Sequence, residues 1–435
     1  MGIFEFYMAR VKRYYEPNMN TLSVFKRDYF NLPILTSLYL NVHPKYLALS
    51  VIQLACLVYH AILILNSSVS LLNINFTLAS FEFQIVLIIL FPIIIIFTFN
   101  VNRTELNILH SEMVHKIFEY EEADSEYIGQ LYREVGKENK KLLMVPILGG
   151  LNGGFVLIIC PFLDSGYGTF AYNGTELSSK SWDLPVPLVE YPISLDNNPL
   201  LFYLAIFGEG MAAYFVVSTL AAAGYLFINL SQVTCLNLKY LAYNVERLER
   251  RAVTMREKEL GKWNLGMRGT KQQLYKDADF IRCYKRCLRK SIQHHQLIIR
   301  WKNYFQSFGS FSLGVAYFTG TLVIAFSLLS IKTGTNLPGT FLSSITFCVA
   351  EVGFIGLLSM LGQRITDLSE ELRLSLYNTK WYYAPKSLNL DLLIFQEGMQ
   401  DPIKLTAFGI TPANNDTFSN VMNSAYSYYN VLMAF

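Results

Sequence analysis

The chain has 435 residues, of which 52% are hydrophobic and 16% charged, whereas an ordinary globular protein has about 25% charged residues. The charges are gathered into a few blocks that leave long stretches without any, which excludes an ordinary soluble domain. The placement of these blocks is more informative than the formal net charge of +3.

Segments with the length and composition of membrane-crossing helices recur along the chain. Such a helix needs about 20 mostly apolar residues, and six segments satisfy this clearly. A seventh, at the C-terminal end, is shorter and more polar but carries no charge. The sequence therefore predicts an all-α integral membrane protein with seven transmembrane helices, at residues 46–66, 80–101, 142–162, 200–230, 309–331, 339–362 and 417–435.

The basic residues fall almost entirely on one side of these helices. Segments 1–45, 102–141, 231–308 and 363–416 hold 34 of the 36 lysines and arginines. Because cytoplasmic loops carry the excess of basic residues, we predict a cytoplasmic N-terminus and an extracellular C-terminus.

This topology divides the chain into six segments. The long stretch before the fifth helix is charged and helix-prone, and we predict that it is a cytoplasmic helical extension of helices four and five. The segments are a cytoplasmic N-terminal part (1–45), helices one to four (46–232), the extension (233–308), helices five and six (309–362), a second cytoplasmic part (363–415) and helix seven (416–435).

Six N-x-[ST] sequences mark possible glycosylation sites. The topology places Asn66, Asn75 and Asn173 at or beyond the outer surface and the other three inside. Half of the six on the outer side is close to chance, so these sites test the topology rather than support it.

The last helix has one small, polar face and one aromatic and aliphatic face. At about 100° per residue, the polar face holds Asn420, Asn423, Ser424, Ser427, Asn430, Val431 and Ala434. In hydrocarbon such a face meets either other helices, through hydrogen bonds, or water, and both interpretations stay open. For a pore, several subunits would each contribute one helix, and Val431 near the outer end would form an apolar constriction.

Two acidic residues lie well inside predicted membrane helices, Glu209 in the fourth and Glu351 in the sixth. An intramembrane carboxyl group suggests a functional role by default, in ligand contact, an ion path or pairing. A hydrogen-bonded carboxyl that holds helices together is an equally good interpretation.

Aromatic and sulfur side chains recur in the outer halves of several predicted helices. Together they suggest an apolar pocket for a small volatile or lipid-like ligand, although ordinary packing explains any single one of them. The candidates are Phe81, Phe83, Phe155, Tyr203, Phe207, Met211, Tyr214, Phe341 and Phe347.

Signatures of enzymes are missing from the sequence. It has no H-E-x-x-H, G-x-S-x-G, Walker loop or zinc-ligand spacing, so we predict neither catalysis nor a cofactor or metal. The basic segments favour contact with anionic lipid headgroups over nucleic acid.

The C-terminal part of the chain resembles the insect odorant receptors. The similarity lies in the stretch LSLYNTKWYY, in the run from Gln400 to the end, and in the S-x-Y-S-Y-[YF]-x-x-L pattern from Ser424 to Leu432. The resemblance implies an odorant-gated, non-selective cation channel in the dendritic plasma membrane of olfactory neurons. It also implies a tetramer with the final helices around a central pore, an intracellular anchor that holds the subunits together, and a ligand pocket among helices two to six.

The ending Met433, Ala434 and Phe435 lacks the polar, Gln-containing tail typical of the co-receptors of that family. The resemblance therefore implies an odour-tuning subunit that needs a co-receptor as its partner. It leaves open what lines the outer pore mouth, because Ala434 stands where a co-receptor has a polar residue.

Two other classes remain as alternatives. A gustatory receptor would be a related channel, but its final helix favours a Q-F ending that is absent here. A G-protein-coupled receptor has the opposite orientation, and this chain has neither a D-R-Y nor an N-P-x-x-Y sequence at the expected helix ends.

Overall fold

The computed structural model describes most of the chain from residue 44 onward. The described residues are 44–73, 76–102, 104–105, 108–109, 118–120, 125–164, 170–172, 175–177, 191, 199–260 and 274–434. The N-terminal segment up to residue 43, together with Asn75 and Asn173, lies outside them.

The described residues form nine α-helices and two short hairpins. The helices are α1 (Pro44–Leu71), α2 (Phe76–Val101), α3 (Ser125–Asp164), α4 (Pro199–Glu246), α5 (Leu248–Leu260), α6 (Ala278–Thr333), α7 (Pro338–Tyr377), α8 (Lys386–Glu397) and α9 (Asn415–Met433). A 3-10 turn covers Trp381–Tyr383, and the antiparallel hairpins pair β1 (Phe170–Tyr172) with β2 (Thr175–Leu177) and β3 (Thr406–Ala407) with β4 (Thr411–Pro412).

Five of these helices, α1, α2, α4, α6 and α7, are long and apolar enough to cross a membrane. The other two predicted spans correspond to the second half of α3 and to α9, and of these α9 is the more polar. Seven helices of the described chain thus match the seven predicted spans, with α5 and α8 as accessory helices.

Four of the spanning helices are much longer than a bilayer is thick. With 56 residues, α6 is about 84 Å long at 1.5 Å per residue, whereas the hydrocarbon core is about 30 Å thick. The helices α3, α4 and α7 have 40, 48 and 40 residues. Only four residues separate α6 from α7, so neither helix can project far beyond the bilayer at that end of the bundle. The excess length of both helices lies at the other end, which we call the extended end.

The most completely buried large side chains lie mainly at the extended end. They include Leu241 of α4, Leu248 of α5 and Phe280, Tyr284 and Leu288 of α6. Outside hydrocarbon, helices need an apolar core of their own. Within the spans, by contrast, side chains such as Ile52, Phe97 and Val349 are exposed on the surface of the bundle, where lipid solvates them.

Polar contacts tie the helices together at both ends. At the short-loop end, Asp164 accepts hydrogen bonds from the backbone N–H groups of Gly339 (2.6 Å) and Thr340 (2.8 Å) at the start of α7. This carboxylate satisfies N–H groups that have no partner within the helix. At the extended end, Arg364 of α7 forms a two-point ion pair with Glu138 of α3.

Candidate functional site

A cavity of about 110 Å³ lies among the second to sixth spanning helices, around the middle of their length. On the α3 side its wall is made by the sequence GGLNGG. A Cβ atom on Gly150 would lie 2.9 Å from Val217 of α4, whereas one on Gly149 would meet no atom within 4 Å. Glycine at 150 therefore permits close helix contact, while position 149 borders open space beside the cavity. The lining residues are Ile88, Phe91, Val145, Pro146, Gly149, Gly150, Gly153, Gly154, Ala213, Val216, Val217, Leu220, Val323, Phe347, Ala350, Glu351 and Phe354.

Glu351 of α7 brings a carboxyl group to this cavity. Its Oε1 atom lies beside Gly320 of α6, where a Cβ atom would be only 2.5 Å away. Among the described residues, none hydrogen-bonds to this carboxyl group or pairs with it. The structure thus gives Glu351 space in the apolar cavity without a protein partner that would explain it as a structural tie.

Two aromatic rings separate this cavity from a smaller one nearer the extended end. Phe91 and Phe354 contact each other edge to face, with ring centroids 6.3 Å apart, and both line both cavities. The smaller cavity, of about 40 Å³, is apolar and reaches the Gly309 to Ala316 part of α6. The ring pair therefore forms the inner boundary of the larger cavity.

The structure brings Phe347 and Glu351 to the cavity and leaves the other predicted pocket residues elsewhere. Phe155 and Phe207 are 63% and 67% exposed on the outside of the chain. Phe83 is partly buried and stacks on Phe326 of α6. The remaining candidates do not line the cavity either: Tyr203 and Tyr214 are exposed, Met211 and Phe341 are partly buried, and Phe81 is buried in the core.

The other predicted acid, Glu209, is buried in α4 and accepts a hydrogen bond of 2.8 Å from the hydroxyl group of Tyr191. This contact joins α4 to the segment that precedes it. A third buried acid, Glu82 of α2, was not singled out from the sequence, because its position close to the start of the span resembles an ordinary helix end.

Only a narrow stripe of α9 is covered by its own chain. The buried residues are Thr417, Val421 and Ala425, one helical turn apart, and they pack against α6 and α7. Every member of the predicted polar face is exposed, namely Asn420, Asn423, Ser424, Ser427, Asn430, Val431 and Ala434. Ser427 donates to the backbone of its own helix at Asn423. In the described chain, no hydrogen bond joins this face to another helix.

The β3–β4 hairpin fixes the start of α9 against α6. The side-chain amide of Gln306 donates to the carbonyl oxygen of Thr406 (2.6 Å) and accepts from its N–H (2.9 Å). At the tip, Phe408 has a φ of 52°, a left-handed conformation that is costly for a residue with a side chain. Its ring occupies the space left by Gly314, where a Cβ atom would be 2.4 Å from it.

Of the predicted glycosylation sites, Asn66 is exposed within α1, five residues before the helix ends. Asn75 and Asn173 lie outside the described residues. The structure does not test these sites, which stay predictions.

These features define a multi-pass helical membrane protein with an intramembrane cavity and a polar seventh spanning helix. A family model described as 7tm Odorant receptor matches residues 75–426, and the chain belongs to this family of receptors. That membership decides between the odorant-receptor resemblance and the gustatory and G-protein-coupled alternatives.

Individual relatives agree with this assignment. Odorant receptors 49a and 22b of Drosophila melanogaster are each 27% identical to the chain, over 164 and 160 residues. The matches cover 38% and 35% of this chain and 38% of each relative, so well under two thirds of either relative is spanned.

Solved structures share the fold along nearly the whole chain. Olfactory receptor OR5 of Machilis hrabei, in complex with eugenol, superposes with a TM-score of 0.69 at 13% identity and covers 99% of both chains. A second structure of that receptor gives a TM-score of 0.68 at 12% identity, covering 99% of this chain and 98% of the other. At this identity the likeness establishes the fold alone.

Proposed function

We propose that the chain is an odour-binding subunit of a ligand-gated, non-selective cation channel that opens together with a co-receptor subunit. The observation that carries this proposal is the polar face of α9, which its own chain leaves uncovered. Asparagine and serine side chains at membrane depth need water or another protein surface. One helix cannot enclose water, so several subunits each contribute an α9 to a shared pore.

The proposed orientation places the extended end in the cytoplasm and the end of α9 outside the cell. The support is the concentration of 34 of the 36 basic residues in segments that this orientation makes cytoplasmic. A tag at each terminus, tested with antibody on intact and permeabilised cells, examines it directly. We expect the C-terminal tag to be accessible on intact cells and the N-terminal tag only after permeabilisation; the reverse pattern would exclude the pore arrangement.

The proposed ligand is a small, volatile, largely apolar molecule, and the proposed site is the 110 Å³ cavity. Mostly apolar walls with a small number of polar groups are the usual form of a small-molecule site. The eugenol complex of the Machilis hrabei receptor, which shares the fold, supports a ligand-binding role for this architecture. The proposed location is the plasma membrane of olfactory sensory neurons.

A thiol-accessibility experiment tests the pore. The chain is co-expressed with an insect co-receptor, and odour-evoked current is recorded before and after a membrane-impermeant, positively charged thiol reagent. We expect the reagent to reduce current through Ser427→Cys, on the polar face, and to leave the wild type and Tyr426→Cys unaffected. Tyr426 is exposed about 100° around the helix from Ser427 and outside the polar face, which makes it the matched control.

An absence of modification in both cysteine variants would mean that α9 has no water-filled side, and the polar face would then be a contact surface between subunits. Equal modification of both would mean that water is not confined to the polar face. A current that depends on G-protein signalling would refute the channel function itself.

A further inference from the structure

The carboxyl group of Glu351 is the charged group among the described residues that line the larger cavity. The other lining residues are aliphatic, aromatic or glycine. A carboxyl group in apolar surroundings is unfavourable unless it finds a hydrogen-bond partner. Glu351 is partly exposed and no described residue hydrogen-bonds to its carboxyl group, so its oxygen atoms remain available to a molecule in the cavity.

The neighbouring helix keeps this carboxyl group available. Gly320 of α6 faces the Oε1 atom of Glu351, and any side chain at position 320 would displace it. Ile355, one turn further along α7, is equally close to Gly320 and is fully buried. An apolar contact thus holds the two helices together beside Glu351, and the carboxyl group itself is not needed as a tie.

The size of the cavity limits the occupant. An apolar cavity of about 150 Å³ holds one benzene molecule, so about 110 Å³ holds about four non-hydrogen atoms, and a ligand of six such atoms requires a small adjustment of the protein. At the inner end, the contact between Phe91 and Phe354 closes the space. A molecule of this size has room for one polar group, and the position of Glu351 determines where that group lies.

We propose that Glu351 accepts a hydrogen bond from a hydroxyl group of the ligand, so that the cavity selects small alcohols over hydrocarbons of the same shape. A neutral hydroxyl suits the site better than an ammonium ion, because a cation loses its hydration on entering the apolar interior. This inference rests on the proposed function, since it takes the cavity as the odorant site and specifies the ligand that it prefers.

The test compares two probes that differ in one group. Cyclopentanol and methylcyclopentane have the same number of non-hydrogen atoms and differ by a hydroxyl in place of a methyl group. Their binding to the purified receptor, assembled with its co-receptor, is measured from the ligand-dependent shift in thermal unfolding. We expect the wild type to bind cyclopentanol about tenfold more tightly, the effect of one hydrogen bond to a carboxyl group in an apolar site.

Two variants separate recognition from folding. Glu351→Leu should remove the preference by weakening cyclopentanol binding alone, and retained methylcyclopentane binding shows that the cavity is intact. Glu351→Gln keeps an oxygen that accepts a hydrogen bond and should retain most of the preference. An equal loss of both probes in Glu351→Leu, no preference in the wild type, or a preference for cyclopentylamine over cyclopentanol would each overturn the inference.

Ligand binding and odour-evoked current, measured together, separate a failure of this inference from a failure of the proposed function. Selective binding of cyclopentanol without any odour-evoked current would refute the channel and support the role of Glu351. Odour-evoked current from a receptor that binds the two probes equally would support the channel and refute the role of Glu351.

Discussion

At the scale of single residues, a glycine lines the cavity at a position where a side chain has room. In Gly149→Val the new side chain enters open space, because no atom lies within 4 Å of the Cβ position. We expect the odorant concentration for half-maximal current to rise about tenfold, since the ligand loses room in a small site. The matched control is Gly353→Val, which also meets open space but does not line the cavity. A similar response of both variants would place the odorant elsewhere.

The same residues show how far the sequence defines the site. Glu351 stands out from sequence because a charge inside an apolar span is rare, and it does line the cavity together with Phe347. Phe155 and Phe207 have the right chemistry, but the direction of a side chain around its helix depends on how the helices pack. The sequence gives no reason to single out Gly149, because the space beside a glycine depends on how the neighbouring helices pack.

At the scale of elements, the β3–β4 hairpin is a strained connection packed tightly onto α6. The left-handed conformation of Phe408 costs about 1–2 kcal/mol, and the contact between its ring and Gly314 offsets that cost. Gly314→Ala should lower the free energy of unfolding by about 1–3 kcal/mol, because the added methyl group overlaps the ring. In the background of Phe408→Ala the same change should cost much less. Chemical or thermal unfolding of both single variants and the double variant measures this coupling.

Additive effects in that cycle would mean that the ring lies elsewhere in solution. An unaltered stability of Gly314→Ala would exclude the tight packing altogether.

Within the extended end, His294 of α6 links stability to pH. The pKa of His294 is lowered from 6.5 to about 3. Burial is the largest cause, and the nearby His295 and Arg251 also lower it. Its neutral ring contacts the hydroxyl group of Tyr120 (2.8 Å) and the side-chain oxygen of Asn237 (3.2 Å). The unfolded state takes up the proton at higher pH, so this contribution to stability is complete above about pH 6.5 and decreases as the pH falls toward 3.

From pH 7.5 to 5.0 we expect this histidine alone to reduce the free energy of unfolding by about 2 kcal/mol. His294→Gln keeps hydrogen-bonding capacity without titrating in this range, and it should lessen the loss by that amount. The free energy of unfolding of the wild type and of His294→Gln, measured at the two pH values, tests this prediction. His295, whose pKa burial lowers to about 4, accounts for acid sensitivity that remains. An identical pH dependence in the variant would show that His294 is protonated in the folded protein.

The helical extensions and the hairpin differ in how visible they are in the sequence. Charged, helix-prone residues predicted a helical extension before the fifth span, and the structure continues α4 to Glu246 and begins α6 at Ala278. The hairpin of two-residue strands was not predicted. Its stability depends on the pairing of Thr406 with Gln306, 100 residues earlier in the chain, which a local pattern cannot reveal.

At the scale of the whole molecule, the seven helices are not equivalent. Six form the body of the bundle, and five of these line the cavity, whereas α9 packs against α6 and α7 along one stripe and leaves most of its surface exposed. A helix so lightly covered gains its missing contacts from other subunits. The cavity and α9 share α6 and α7 as neighbours, which provides a physical connection between ligand binding and the proposed pore.

A charge placed on the polar face of α9 tests that arrangement in the assembled channel. Val431 is 55% exposed near the end of α9, and Val431→Lys from each copy of this chain would direct a cation toward the proposed pore axis. We expect cation current to fall at least about tenfold, through electrostatic repulsion in a narrow passage, while surface biotinylation shows unchanged delivery. Tyr426→Lys, on the opposite side of the helix, should leave the conductance of single channels unaltered. Normal conductance in Val431→Lys would assign the polar face to contacts between subunits. An equal loss of surface protein in both variants would show that α9 faces lipid or a neighbouring subunit on all sides.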